Sequence, residues 1–207
     1  VLLLGVAAYS AVTPHMINLR GSGVVNIVTY GAIPDDSIDD YPAIASAVAA
    51  LTTGQTLWFP PGTWRTSETV VISGTTKYGT SIKMDGTLVP HTPPGESITL
   101  FRLGLSSINR LQNFSGNIKV GNVGVYTTPS SVTYSNCTGV TAYGLYYSKI
   151  HLEATALSEA ANITGDSCEI TLGEIKSCSK GVTLAGYSNL VTGGLFLYPL
   201  TNWVANN

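Results

Sequence analysis

Lys149-Ile150-His151-Leu152-Glu153 is followed by Glu169-Ile170-Thr171-Leu172-Gly173, and then by Leu190-Val191-Thr192. The apolar-x-apolar cores that begin at Ile150, Ile170 and Leu190 are evenly spaced. An earlier pair, Ile98-Thr99-Leu100 and Ile118-Lys119-Val120, repeats the same spacing. The two series are separated by a wider gap, from Ile118 to Ile150, with room for a turn insertion or an extra coil between Gly121 and Tyr147. Alternation of this kind is a strand signal, and no helical pattern intervenes. Self-similarity at about 20 residues without helices between the strands is the mark of a solenoid. One coil cannot bury its apolar face alone; neighbours stacked ~4.8 Å away do that for it. The period predicts an all-β chain folded as a single-stranded right-handed parallel β-helix, with about five coils after Ile98.

Upstream the pattern changes. Val24 to Thr29 is a β-branched run that favours a strand. An acidic turn follows, with Asp35, Asp36, Asp39 and Asp40, and leads into Tyr41 to Leu51. There Ile44, Val48 and Leu51 fall on one stripe of a short helix. Asp39 or Asp40 is placed to cap that helix, Pro42 suits its first turn, and Gly54 lies just past its end. Thr56 to Phe59 reads as a strand, and Pro60-Pro61-Gly62 as a tight turn with Pro61 and Gly62 central. Glu68 to Ser73 and Thr80 to Met84 add strands. The expected organisation is a neck or linker over 1–23, a cap with its plug helix (about 41–51) over 24–73, and coils over 74–207, incomplete at the C-terminal end.

Composition narrows the function classes. The 207 residues carry 10 Lys+Arg and 12 Asp+Glu, so 11% are charged where roughly 25% is ordinary. A net charge of −2 supplies no electrostatic footprint for nucleic acid. The apolar run at Val1 to Ala8 is far short of the ~20 residues of a membrane span, so no membrane insertion is expected. Cys137, Cys168 and Cys178 are odd in number and lack C-x-x-C spacing, which points to buried reduced thiols. No phosphate loop, nucleophile elbow or zinc-protease motif occurs, and no cofactor or metal is expected.

Val28-Thr29-Tyr30-Gly31-Ala32, the Asp35-Asp36…Asp39-Asp40 turn, Ala43-Ile44…Ala47 and Phe59-Pro60-Pro61-Gly62-Thr63-Trp64 together resemble an N-terminal signature of the pectate-lyase-like (pectin-lyase-like) β-helix superfamily. Within it they look most like bacteriophage tailspikes and capsule depolymerases. The pattern departs at Ile33-Pro34-Asp35, where that family usually has a glycine-flanked Asp. The resemblance implies a homotrimeric virion appendage, a phage tailspike or tail-fibre segment joined to other tail proteins. Its glycan partner would be host capsular or lipopolysaccharide, recognised and in many members cleaved by glycosidase or lyase chemistry. A secreted monomeric polysaccharide lyase or glycosidase, and a purely structural virion β-helix, are the alternatives.

Candidate chemistry comes from the residues themselves. With Ile150 and Leu152 inward, Lys149, His151 and Glu153 project outward, and one coil later Glu169 and Thr171 do so, with Glu174 adjacent. Glycan cleavage needs paired carboxylates or a base beside the sugar proton. His151, Glu153 and Glu174 are the expected acid/base groups, and Lys149 and Glu169 the expected substrate contacts. The same residues also read as a cross-rung ion pair with solvated neighbours. This patch reads as the one concentration of ionisable groups in the solenoid. Tyrosines crowd the second half; Tyr146 and Tyr187 are candidate sugar platforms, and one of Tyr146 and Tyr147 is expected in the core.

Overall fold

The computed structural model describes residues 23–91, 96–105, 110–121, 134–197 and 204–206. The expected neck, apart from Gly23, lies outside them, as do Tyr126, Tyr198 and Trp203. The elements run β1 (Val24–Asn26), α1 (Tyr41–Ala50), β2 (Thr56–Phe59), β3 (Thr63–Thr66), β4 (Val70–Ile72) and β5 (Ser81–Met84). Then come β6 (Thr87–Pro90), β7 (Thr99–Leu103), β8 (Leu111–Gln112), β9 (Ser115–Gly121) and β10 (Tyr134–Tyr146). The chain continues through β11 (Lys149–Thr155), β12 (Leu157–Asp166), β13 (Glu169–Lys176), β14 (Lys180–Ala185), β15 (Leu190–Leu197) and β16 (Val204–Asn206).

Every pairing among these strands is parallel. The chain alternates between sheet A (β1-β2-β5-β9-β11-β13-β15) and sheet B (β4-β7-β10-β12-β14-β16). The fold is a right-handed parallel β-helix. Its interior is a set of inward ladders: Val25, Leu57, Ile82, Gly116, Ile150, Ile170 and Val191 on sheet A, and Val70, Phe101, Val140, Ala161 and Val182 on sheet B. Most of these side chains are sealed from solvent, each large one contributing about 1.5–3 kcal/mol.

The inter-coil intervals correct the sequence reading. On sheet A the stacked starts are Thr56, Ser81, Ser115, Lys149, Glu169 and Leu190, and the steps between them are unequal. Those from Ser81 to Ser115 and from Ser115 to Lys149 are the longest, and that from Lys149 to Glu169 is the shortest. Ile98-Thr99-Leu100 and Ile118-Lys119-Val120 do not stack, because β7 belongs to sheet B and β9 to sheet A. The last step also exceeds the one before it: Val191 lies on Ile170, while Leu190 pairs with Glu169 and is 57% exposed. The gap after Gly121 is one lengthened coil and not an extra one, since β9 pairs directly with β11.

Corners between sheets are made by single residues in the left-handed conformation. Asn113, Tyr147, Ser167 and Ser188, with φ between 50° and 57°, occupy one such corner. The amides of Asn113, Tyr147 and Ser167 each donate to a carbonyl of the next coil, which offsets the roughly 1–2 kcal/mol that such a φ costs a non-glycine residue. Tyr147 is therefore an exposed corner residue and Tyr146 is half-buried; neither joins the core.

The N-terminal cap differs in detail from the expectation. β1 stops at Asn26, whose side chain accepts from the Val28 amide and starts a 3-10 turn over Ile27–Tyr30. Asp40 sits at the helix N-cap but makes no capping bond with its side chain. Its carboxylate instead accepts from the amides of Ile33 and Arg65, both at 2.9 Å. Asp35 accepts from the Thr63 amide, and Asp39 from Tyr41, the Ser67 amide and the Ser67 hydroxyl. The acidic turn thus stitches the entry of α1 to β3 and the residue after it. At the other end Lys77 donates to the carbonyls of Val48 and Leu51, a task that Gly54 does not perform. Gly86 lets two turns touch: a Cβ there would lie 2.3 Å from the Gly62 carbonyl oxygen and 2.5 Å from that of Pro60.

Burial opposes ionisation of Asp39, but the Ser67 hydroxyl and the two amides outweigh it and hold its pKa below the ordinary carboxylate value. A depressed folded pKa contributes stability above the unfolded value of ~3.9 that is lost as pH falls through the folded one. Asp39→Ala should therefore cost about 1–2 kcal/mol at pH 7. The gap from the parent chain in urea melts should narrow below about pH 4; a gap that does not depend on pH would refute the assignment. Burial also raises the Cys168 thiol and pushes Cys178 up to about 11, and Cys137 is buried as well. A neutral disulfide reagent at pH 8 should leave all three cysteines of the native chain unlabelled and react with them once the chain is unfolded.

Candidate functional site

The outward face of sheet A carries the residues singled out from sequence. Along it Lys83, Asn117, His151, Thr171 and Thr192 form one ladder, and Ser115, Lys149, Glu169 and Leu190 form the ladder beside it. Between them lies a shallow depression of about 230 Å³, lined by Ser115, Asn117, Lys149, His151, Glu169 and Thr171. Parallel pairing in register is what gathers them: positions a whole coil apart in sequence become neighbours ~4.8 Å apart.

Glu153 is the most connected member. Its Oε1 lies 3.4 Å from His151 Nε2 and its Oε2 lies 3.7 Å from Lys119 Nζ. Gly173 on the next rung makes room for the pair. A Cβ there would sit 2.7 Å from Glu153 Cγ and 3.2 Å from His151 Nε2. The ladder is irregular at this point: Leu152 pairs with Leu172 but Ala154 with Ile175, so Gly173 and Glu174 together face Glu153. That bulge turns Glu174 outward, 3.9 Å from Lys176 Nζ. Bulges often re-aim side chains beside functional sites.

Lys149 and Glu169 do stack, with Nζ and Oε2 2.7 Å apart. Their side chains are 72% and 43% exposed, so the pair adds little to stability. Tyr146 and Tyr187 lie outside the depression, at the sheet B corner that leads into it. Asp166 stands between them, pairing with Tyr146 and accepting from the Tyr187 amide at 2.8 Å. The Arg110 guanidinium lies 4.7 Å from the Tyr146 ring centre, while Tyr187 is 79% exposed.

Three residues escaped the sequence reading of this face. Lys119 reaches Glu153 from the preceding coil, and only the longer interval from β9 to β11 would have revealed it. Asn117 has a buried side-chain oxygen with no hydrogen-bond partner among the described residues. Trp58 lies two rungs before Asn117 in the same ladder, its indole N–H donating to Asp85 at 2.8 Å and Lys83 5.6 Å from its ring centre. Nor is this patch the one concentration of ionisable groups. Sheet B carries Glu159 paired with Lys180 at 2.8 Å, and near its N-terminal end Glu68, Glu96 and Arg102 line one groove. No group of His, Cys, Asp and Glu side chains able to hold a metal ion occurs among the described residues.

Residues 24–93 match the family model described as rhamnogalacturonase A/epimerase, pectate lyase-like. Rhamnogalacturonase A of Aspergillus aculeatus is 39% identical over 61 residues, which are 30% of this chain and 13% of that protein. Among solved structures, ORF18 of Geobacillus virus E2 is similar over 84% of this chain and 41% of its own, with a TM-score of 0.47 and 15% identity. The iota-carrageenase of family GH82 from A. fortis is similar over 82% of this chain and 39% of its own, with a TM-score of 0.45 and 17% identity. The chain spans less than half the length of each of these proteins.

Proposed function

We propose that this chain is part of a polysaccharide-depolymerising β-helix protein, and that the sheet A face around Glu153 is where it engages glycan. The observation that carries this reading is the outward Lys119–Glu153–His151 cluster, set beside a depression with polar side chains along it. The likeness of residues 24–93 to the rhamnogalacturonase A family model supports the same class of substrate.

In this reading Glu153 and Glu174 are the two carboxylates. They project from adjoining rungs ~4.8 Å apart, a spacing from which paired carboxyl groups can span the separations used in glycoside hydrolysis. Glu174, turned outward by the bulge, donates a proton to the leaving glycosidic oxygen. Glu153, oriented by His151 and Lys119, takes the proton of the attacking water, or attacks the anomeric carbon itself. Lys149 and Glu169 hold sugar hydroxyls at the rim, and Tyr187 and Tyr146 offer ring faces at the corner. Lyase chemistry is the second reading, favoured by three basic groups on one face: His151 takes the sugar α-proton, a C4=C5 double bond forms as the C4 glycosidic oxygen leaves and takes a proton from water, and Lys119 and Lys149 neutralise the uronate. The protein is further proposed to work as a homotrimeric phage tailspike or tail-fibre segment directed at host capsular or lipopolysaccharide glycan. The exposed tyrosines Tyr143, Tyr147 and Tyr187 suit contact with sugar or with neighbouring subunits.

The test is release of reducing ends from host capsule by the full-length protein. Glu153→Gln and Glu174→Gln should each lower the rate by on the order of 10² or more without shifting the melting temperature. Full activity in both variants would remove this site. An unsaturated product would select the lyase reading. Light scattering should return a trimer; a monomer would overturn the virion appendage in favour of a secreted enzyme.

A further inference from the structure

We infer that a second groove, on the sheet B face beside the N-terminal cap, is a binding site for neutral sugars, independent of the chemistry proposed on sheet A. The groove is open to solvent and its volume is about 580 Å³. Arg102, paired in the ladder with Val71, lines it. It is also lined by Ser67, Glu68 and Thr69 ahead of β4 and by Glu96 and Ser97 ahead of β7, on adjoining rungs.

Both segments are held in place by hydrogen bonds. Ser67 is held by the Asp39 carboxylate through its amide and its hydroxyl, and Thr66 Oγ1 donates to the Glu68 carbonyl at 2.6 Å. The Tyr41 phenol, at the first position of α1, hydrogen-bonds the Glu68 carboxylate; burial and the Glu68 charge both raise its pKa. In the segment ahead of β7 Ser97 Oγ donates to the Asn136 carbonyl at 3.0 Å, and the Thr138 amide to the Ile98 carbonyl at 2.9 Å. A groove whose lining is already ordered loses little conformational entropy on taking a ligand.

The polar chemistry selects the ligand. Arg102 Nε is buried and finds no hydrogen-bond acceptor among the described residues, a costly state for a charged group. Arg102 supplies planar N–H donors, and Glu68 and Glu96 supply planar pairs of acceptors. Vicinal sugar hydroxyls donate and accept at once, so a diol satisfies a guanidinium and a carboxylate together. Two carboxylates against one guanidinium leave the groove with a net charge of −1, which repels the carboxylate of a uronic acid. The Arg102 guanidinium in turn opposes an ammonium group beside it, so the site fits a neutral hexose segment, and the hydroxyls of Thr69 and Thr99 extend the polar lining.

The probes are neutral trisaccharides (maltotriose, cellotriose, mannotriose and galactotriose), trigalacturonate and chitosan trimer, offered to the full chain and read by saturation-transfer NMR with calorimetry. At least one neutral trisaccharide should bind, and Glu96→Gln and Glu68→Gln should each weaken it tenfold or more. Arg102→Lys, which keeps the charge but loses the fork, should weaken it similarly; its melting curve reports whether the fold survives. Glu153→Gln and His151→Ala should leave this binding unchanged, so failure of the sheet A proposal and failure of this one are separable. Absence of binding by every neutral probe would overturn the inference, as would binding insensitive to Glu68 and Glu96. Tighter binding of trigalacturonate would make the groove an anion site, and of chitosan trimer a cation site; either result overturns it.

Discussion

Each coil of this β-helix leans on its neighbours. Inward side chains such as Ile150 and Ile170 stack directly on one another, and each strand's backbone groups are satisfied by the strands above and below. Removing one rung would uncover apolar surface on both flanks, so stability is shared along the stack and not owned by any coil. The N-terminal end needs a different solution, because among the described residues the first rung has a strand partner on one side only. Here α1 lies against it, with Ile44 and Ala47 buried, held by Asp35, Asp39 and Asp40 at one end and Lys77 at the other. The carboxylates of the acidic turn are engaged by main-chain amides, which is why they are poor candidates for metal or catalysis.

The same stacking that buries the inside organises the outside. A parallel ladder places outward residues of successive coils in straight rows, so side chains distant in sequence become a surface a few ångströms across. On sheet A this gathers Lys119, His151 and Glu153 from two coils. On sheet B Glu68, just ahead of β4, comes into one groove with Glu96 and Arg102 of the β7 segment on the adjoining rung. With so few charges in the chain, each cluster stands on a largely neutral, hydroxylated background. Such surfaces suit glycans, whose many hydroxyls need acceptors and donors more than they need net charge.

Departures from the regular ladder matter as much as the ladder. Between Leu152 and Ala154 the register slips by one residue, and this slip both opens space above Gly173 for Glu153 and turns Glu174 outward. A regular strand would have presented Glu153 and Glu174 on opposite faces or out of reach. The left-handed corners at Tyr147, Ser167 and Ser188 likewise set where each face of the helix begins. Tyr146 and Tyr187 end up at that edge, beside the sheet A depression and not within it.

The sequence by itself determined the architecture. Apolar alternation around Ile150 and Ile170, with no helix between, admits only stacked parallel strands, and the ordered motifs from Val28 to Trp64 marked the capped end. It also placed Lys149 over Glu169 and His151 beside Glu153, because the short step between those two rungs keeps outward positions aligned. Where coils are longer the period fails. The steps from Thr56 to Ser81, from Ser115 to Lys149 and from Thr99 to Thr138 all differ, because each absorbs a turn of its own length. No fixed spacing then tells which strand meets which. Ile98 and Ile118 looked like neighbours for that reason and lie on different sheets, while Lys119 reached Glu153 unseen. The Glu68–Glu96–Arg102 groove was invisible for the same cause: its members share no period, and only the pairing of β4 with β7 brings them into one groove. Spacing encodes what one rung does; the lengths of the turns, settled by three-dimensional packing, decide what the rungs do together.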